Sequence, residues 1–203
     1  MTPFSRRAFA TAAAASLLAG CGGHPARRTT AAPSSGRRPP PTPGKAAARP
    51  LGRSVPVGLR IPAIGVDTPV IRLGLAPDGS VAVPPVTAHD RAGWYRHSPT
   101  PGQLGPSVVL GHVTVGAYGD GVFRHLARLR RGDRVEARLE NGTAAQFDVS
   151  AVRTVAKADF PADEVYGNVD RPELRLITCG GPRSGDGYLD NVIVFATPAS
   201  AGP

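Results

Sequence analysis

Cysteine is almost missing from this chain: two residues in 203 rule out a disulfide-stapled scaffold, which needs several pairs. Aromatic residues make up 5%, with one Trp, so any core is built mainly from aliphatic side chains. The apolar stretch at 10–19 falls short of the roughly 20 residues a spanning helix requires. Acidic residues are absent from the first 53 positions, which carry nine Lys and Arg. The remaining 15 basic residues face all 15 acidic ones, so the net charge of +9 belongs to the tail and the rest is formally neutral. That distribution argues against nucleic acid as a partner and for a segment facing a membrane or an anionic wall. Also lacking are His-Glu-x-x-His, Cys-x-x-Cys, Gly-x-Ser-x-Gly and a phosphate-cradling loop. Neither a metal site nor a cofactor is expected.

What is present begins with an address. Ser5-Arg6-Arg7-Ala8-Phe9 precedes the short apolar stretch, the layout of an export signal with a positive n-region and a brief h-region. The paired arginines also resemble a twin-arginine signal. Leu18-Ala19-Gly20-Cys21 follows directly and resembles a lipobox, which makes Cys21 the expected lipidation site; a cleaved signal with a chance cysteine is the alternative. Residues 1–21 thus read as an export signal with lipobox. Residues 22–54, rich in Pro, Ala, Ser and Arg, read as a disordered spacer that cannot offset its ordering entropy by burial. The expected location is the extracytoplasmic face of a bacterial membrane.

From 55 to 200 the composition changes to short β-branched runs cut by some of the chain's 25 Gly and 22 Pro. Strands are predicted at 58–61, 70–73, 107–111, 133–139, 145–155, 173–178 and 191–196, with a hairpin turn at Asn141-Gly142. One helix is predicted over 121–130, where Val122, Leu126 and Leu129 form a stripe. The class is all-β, and the pattern leaves barrel and sandwich both open.

If Cys21 carries lipid, Cys179 is unpaired, and an unpaired thiol in an exported protein is either buried and inert or kept for its reactivity. Cys179 ends the run Leu174-Arg175-Leu176-Ile177-Thr178 and precedes Gly180-Gly181-Pro182, so a position at a sheet rim, where the backbone turns, is expected. A cysteine nucleophile needs a proton partner, because its free pKa of about 8.5 leaves little thiolate at neutral pH. Of five histidines, His112 stands out at the end of Val108-Val109-Leu110-Gly111; a histidine that merely terminates a strand is the plain alternative.

Together, Leu176-Ile177-Thr178-Cys179-Gly180-Gly181, Val109-Leu110-Gly111-His112-Val113, Gly93-Trp94-Tyr95, Pro99-Thr100-Pro101-Gly102 and Ile61-Pro62-Ala63-Ile64-Gly65-Val66 resemble the sortases, in particular the actinobacterial class F. The resemblance implies a closed eight-stranded β-barrel with one or two short helices. It implies a cysteine transpeptidase that cuts a Leu-Pro-x-Thr-Gly type signal on secreted proteins and passes the acyl group to a peptidoglycan or pilin amine. By the same resemblance Cys179 is the nucleophile, His112 the general acid/base, and Thr178 a contributor to the substrate site.

The chain departs from the family pattern in two places. Where many relatives have Tyr-Arg-Asp-Asn, it reads Tyr188-Leu189-Asp190-Asn191, and Leu189 cannot donate a hydrogen bond. Arg183 is the preferred replacement as oxyanion donor and Arg175 the second. Thr114 stands where relatives often carry Asp. A thiol hydrolase of the same fold and a catalytically impaired peptide-binding lipoprotein are the rival functions. An L,D-transpeptidase lacks support, because the Ser-x-Gly-Cys arrangement expected there is absent.

The tail yields a direct test. In an expressing bacterium an alkyne-bearing fatty acid should label the chain and hold it in the membrane fraction, and Cys21→Ala should lose both label and retention.

Overall fold

β-Branched runs interrupted by glycine and proline become ten strands in the computed structural model, which describes residues 49–185 and 187–199. The strands are β1 (Pro56–Ile61), β2 (Val66–Leu73), β3 (Ala92–Tyr95), β4 (Gly105–Leu110), β5 (Thr114–Val115), β6 (Gly119–Asp120), β7 (Arg134–Leu139), β8 (Ala144–Ala156), β9 (Pro172–Ser184) and β10 (Gly187–Pro198). Eight of them close into a barrel in the order β1-β2-β3-β4-β9-β10-β8-β7, and β5 with β6 forms a separate small hairpin. The closed eight-stranded barrel is the one expected. The expected lipobox at Cys21 lies outside the described residues, as does most of the spacer. Within the span assigned to the spacer, Leu51 N–H donates to the Gly102 carbonyl at 2.8 Å and Ser54 N–H to Thr100 Oγ1 at 3.3 Å, so ordered contacts begin ahead of β1.

Two apolar layers follow from the period of two along each strand. Leu59, Trp94, Val109, Val135, Phe147, Leu174, Leu176, Val192 and Val194 point into the barrel. Val108, Leu110, Ile177 and Ile193 point outward and are covered by Val165 of the helix α1 (Ala162–Tyr166). With both faces covered, β4 is buried along its whole length and β9 from Pro172 to Thr178, as expected of parallel neighbours.

The helix predicted over 121–130 is not there. Arg124, Leu126, Arg128 and Leu129 each donate to the carbonyl three residues back, and the only helical turn in the stretch is a 3-10 turn at Leu126–Arg128. Phe123, Leu126 and Leu129 are the buried apolar side chains, and a spacing of three is the face that a 3-10 conformation presents. A short helix is among those the resemblance implies, and it is α1, although five residues show no helical period that would place it from the sequence. At Asn141-Gly142 the predicted turn joins β7 to β8, with Gly142 at φ 80°.

Outside the barrel, Arg175 and Glu173 form a buried ion pair, and the Arg175 guanidinium lies 4.6 Å from the centre of the Phe195 ring. Arg153 pairs with Glu164 of α1 and, by that hydrogen bond, holds its carboxyl below the ordinary range. This contribution is present at neutral pH and is lost as acid titrates Glu164 through its depressed folded value. Arg175→Ala, which leaves Glu173 buried with only the peripheral Arg171 as partner, should lower the unfolding free energy by about 3 kcal/mol. Arg175→Met should cost less, and urea denaturation of the two variants measures the difference.

Candidate active site

β4 and β9 run parallel, in a register that pairs Val109 with Leu176 and Leu110 with Ile177. The pairing holds one step further. Gly111 N–H donates to the Ile177 carbonyl at 3.1 Å, and the buried Thr178 hydroxyl donates to the Gly111 carbonyl at 2.8 Å. The next residues are His112 and Cys179. Each lies two positions past an outward-facing residue, Leu110 and Ile177. They line one cavity of about 420 Å³.

His112 is fixed at ring and backbone. Its Nε2 lies 2.7 Å from the Pro84 carbonyl oxygen, and a carbonyl only accepts, so Nε2 carries a proton and Nδ1 is the nitrogen free to exchange one. The His112 carbonyl accepts from Phe123 N–H at 2.8 Å, and Gly121 N–H donates to the Val113 carbonyl at 3.0 Å. Two glycines permit this close approach. A Cβ on Gly111 would fall 2.6 Å from the Phe123 ring, and one on Gly121 would overlap the His112 carbonyl.

Cys179 is free and half-buried. Contrary to expectation the chain does not turn there: β9 runs on to Ser184, paired with β10. The reason is a bulge. Between the pairs Gly180–Asp190 and Arg183–Tyr188 the register shifts, so that Gly181 and Pro182 face the single residue Leu189. Gly181 has φ 71°, and any side chain there would collide with the Asp190 carboxylate. Pro182 has no N–H to contribute to a ladder.

Beyond the bulge the hairpin borders the cavity. Tyr188 and Thr114 share a hydrogen bond of 2.8 Å between their hydroxyls, which ties β10 to β5. Arg183 lines the cavity with its guanidinium 5.3 Å from the centre of the Tyr188 ring. Lys157 is a second cation on the lining, and no carboxylate is among the lining residues, so the potential there favours developing negative charge. A second cavity of about 280 Å³ shares Val113, Cys179 and Tyr188 with the first and is lined further by Phe123, Ala127 and Val192 among others.

The structure therefore brings His112, Cys179 and Arg183 to one cavity, with Thr178 beside them. Thr178 contributes through its backbone clamp, because its hydroxyl is already committed to Gly111. Arg175, the second oxyanion candidate, is not part of the group. It stands four residues before Cys179, roughly 13 Å along the strand, and is held by Glu173. Leu189 is half-exposed and offers no donor. Two contributors were not identified from sequence: the Pro84 carbonyl, a backbone group without a residue signature, and the Tyr188 hydroxyl, visible only as part of Tyr188-Leu189-Asp190-Asn191. Among the described residues no cluster of His, Cys, Asp or Glu gathers to hold a metal ion.

Comparison with known proteins gives a consistent assignment. The family model described as Sortase domain matches residues 59–199. No curated protein matches the chain in sequence. Among solved structures, sortase C-1 from Actinomyces oris is 19% identical, with a TM-score of 0.55 over 70% of this chain and 72% of that one. Sortase A from Corynebacterium diphtheriae is also 19% identical, with a TM-score of 0.58 over 75% of this chain and 64% of that one. An SrtA sortase from Actinomyces oris is 24% identical, with a TM-score of 0.54 over 73% of this chain and 82% of that one. At these identities the likeness is one of fold.

The seat of His112 can be probed through stability. Gly121→Ala forces a methyl against the His112 backbone and should lower the unfolding free energy by about 1–3 kcal/mol in urea. Gly52→Ala, where an added Cβ meets nothing, should leave it unchanged.

Proposed function

The chain belongs to the sortase family of cysteine transpeptidases, and from that premise we propose that it cuts a Leu-Pro-x-Thr-Gly type signal on secreted proteins with Cys179 as nucleophile and His112 as general acid/base. The observation that carries this reading is the arrival of His112 and Cys179, from adjacent parallel chains, in one cavity. Class F is the subgroup we assign, on the sequence blocks around Cys179, His112 and Trp94.

In the first half-reaction the Cys179 thiol gives its proton to Nδ1 of His112, and Sγ attacks the Thr carbonyl carbon, forming a C–S bond while the carbonyl π electrons move to oxygen. Collapse of this intermediate breaks the C–N bond, and His112 donates a proton from Nδ1 to the leaving glycine amine. A thioacyl enzyme remains. An incoming amine then gives a proton to the same nitrogen as it attacks, and the thiolate departs. One imidazole serves both directions because the acid of one step is the base of the next. Arg183 and Lys157 supply positive charge at the cavity where the oxyanion forms, and Arg183 is the residue we assign to oxyanion stabilisation. Thr178 supports the substrate site by fixing the strand ends.

We place the enzyme on the extracytoplasmic face of the membrane, held by lipid on Cys21, with a peptidoglycan or pilin amine as acceptor. A thiol hydrolase of the same fold differs only in using water as acceptor, and product analysis separates the two. Incubated with a Leu-Pro-x-Thr-Gly peptide and an excess of amine, the protein should release the amide adduct; free acid alone would mark a hydrolase. Cys179→Ala should give neither product, and His112→Ala should lower kcat by about 10²–10⁴-fold. Absence of any acyl-Cys179 species by mass spectrometry across a panel of such peptides would favour a binding protein that has lost catalysis.

A further inference from the structure

From the register of β10 we infer that Asn191 is a further catalytic residue, its carboxamide donating to the oxyanion that forms when Cys179 attacks; the inference rests on Cys179 being the nucleophile. Asn191 is paired with Cys179 in the antiparallel ladder of β9 and β10. Residues directly opposite in such a ladder share a face, with Cβ atoms about 4.5–5.5 Å apart. The face is the outer one, because Ile193, two residues further on, packs in the outer layer with Ile177 and Leu110. Cys179 thus has Asn191 on its β10 flank, and it shares a cavity with His112, which follows the end of β4 on its other flank.

An asparagine is out of character at this position. Its neighbours on the outer face are Ile193 along β10, Val155 opposite on β8, and Ile177 diagonally across β9. Mid-strand positions of this kind favour β-branched residues, and Asn is depleted in strands. Asn191 is half-buried, and among the described residues its carboxamide has no hydrogen-bond partner, whereas the turn residue Asn141 accepts from both the N–H and the hydroxyl of Thr143. A locally unfavourable polar group beside a nucleophile is the pattern expected where function overrides fold.

Asn191 adds a neutral donor to the charge that Arg183 supplies from past the bulge, where its guanidinium lies over the Tyr188 ring; Leu189 has no donor, and Thr178 already donates to Gly111. A carboxamide has two N–H donors, and an oxyanion needs donors about 2.7–3.1 Å away. On this geometry one Nδ2–H of Asn191 meets the oxygen as the C–S bond forms. No proton leaves Asn191, and the bond relaxes when the C–N bond breaks and His112 protonates the amine.

Asn191→Ala and the near-isosteric Asn191→Asp, which cannot donate when ionised, test the assignment through the pre-steady-state rate of Cys179 acylation. Two acyl donors are used: a Leu-Pro-x-Thr-Gly peptide, and p-nitrophenyl acetate, which needs no sorting-signal recognition. Both variants should slow acylation by about 10²–10³-fold with KM nearly unchanged, while alkylation of Cys179 by iodoacetamide, which forms no oxyanion, and the thermal midpoint stay at wild-type values. Acylation within threefold of wild type in both variants would overturn the inference. So would alkylation falling in step with acylation, since Asn191 would then act on the thiol. If the peptide is not cleaved but the ester reaction shows the loss, the substrate assignment fails and Asn191 stands. If the peptide is cleaved equally well by the variants, the transpeptidase reading stands and Asn191 falls.

Discussion

The parallel pairing of β4 with β9 is the constraint on which the site depends. Parallel strands are joined by long connections, so 61 residues separate Leu110 from Pro172 without affecting how closely their strands lie. Once Leu110 is opposite Ile177, His112 and Cys179 follow at one height. The Thr178 hydroxyl closes that register at its last step by holding the Gly111 carbonyl. A one-residue slip would offset imidazole from thiol and turn Ile177 and Leu176 inside out, so core packing and chemistry enforce the same alignment.

Around that alignment the chain uses backbone geometry rather than extra side chains. Gly111 and Gly121 let the 121–123 segment sit directly on the end of β4. The Gly181–Pro182 bulge lets β9 run past Cys179 and bring Arg183 and Tyr188 back to the cavity. Glycine in αL conformation at Gly181 accommodates a turn of direction that a side chain would block against Asp190. The apolar side of the site is supplied by Val113, Phe123 and Val192, and the cationic side by Lys157 and Arg183.

Much of this was legible in the sequence, for identifiable reasons. Seven of the barrel strands announced themselves by β-branched runs, and His112 and Cys179 by their places after two such runs. β3 did not, because Ala92–Tyr95 is four residues long and buried mainly by its neighbours. The stretch at 121–130 misled because Val122, Leu126 and Leu129 fit a helical stripe, although Phe123, Leu126 and Leu129 are the residues that pack. The sequence ranks Arg183 ahead of Arg175 as oxyanion donor by its place in the loop after Cys179, and the fold shows what the sequence does not, one locked to Glu173 and the other at the cavity. The Pro84 carbonyl had no signature, since any residue supplies the same atom.

The bond from His112 Nε2 to that carbonyl has a kinetic consequence. With one nitrogen tethered, the ring offers a single port for proton traffic, which in the proposed reaction departing and arriving amines use in turn. Under the roles proposed for His112 and Cys179, the first product clears the doorway before the second substrate is admitted, and the thioester is open to water for as long as the port stands empty.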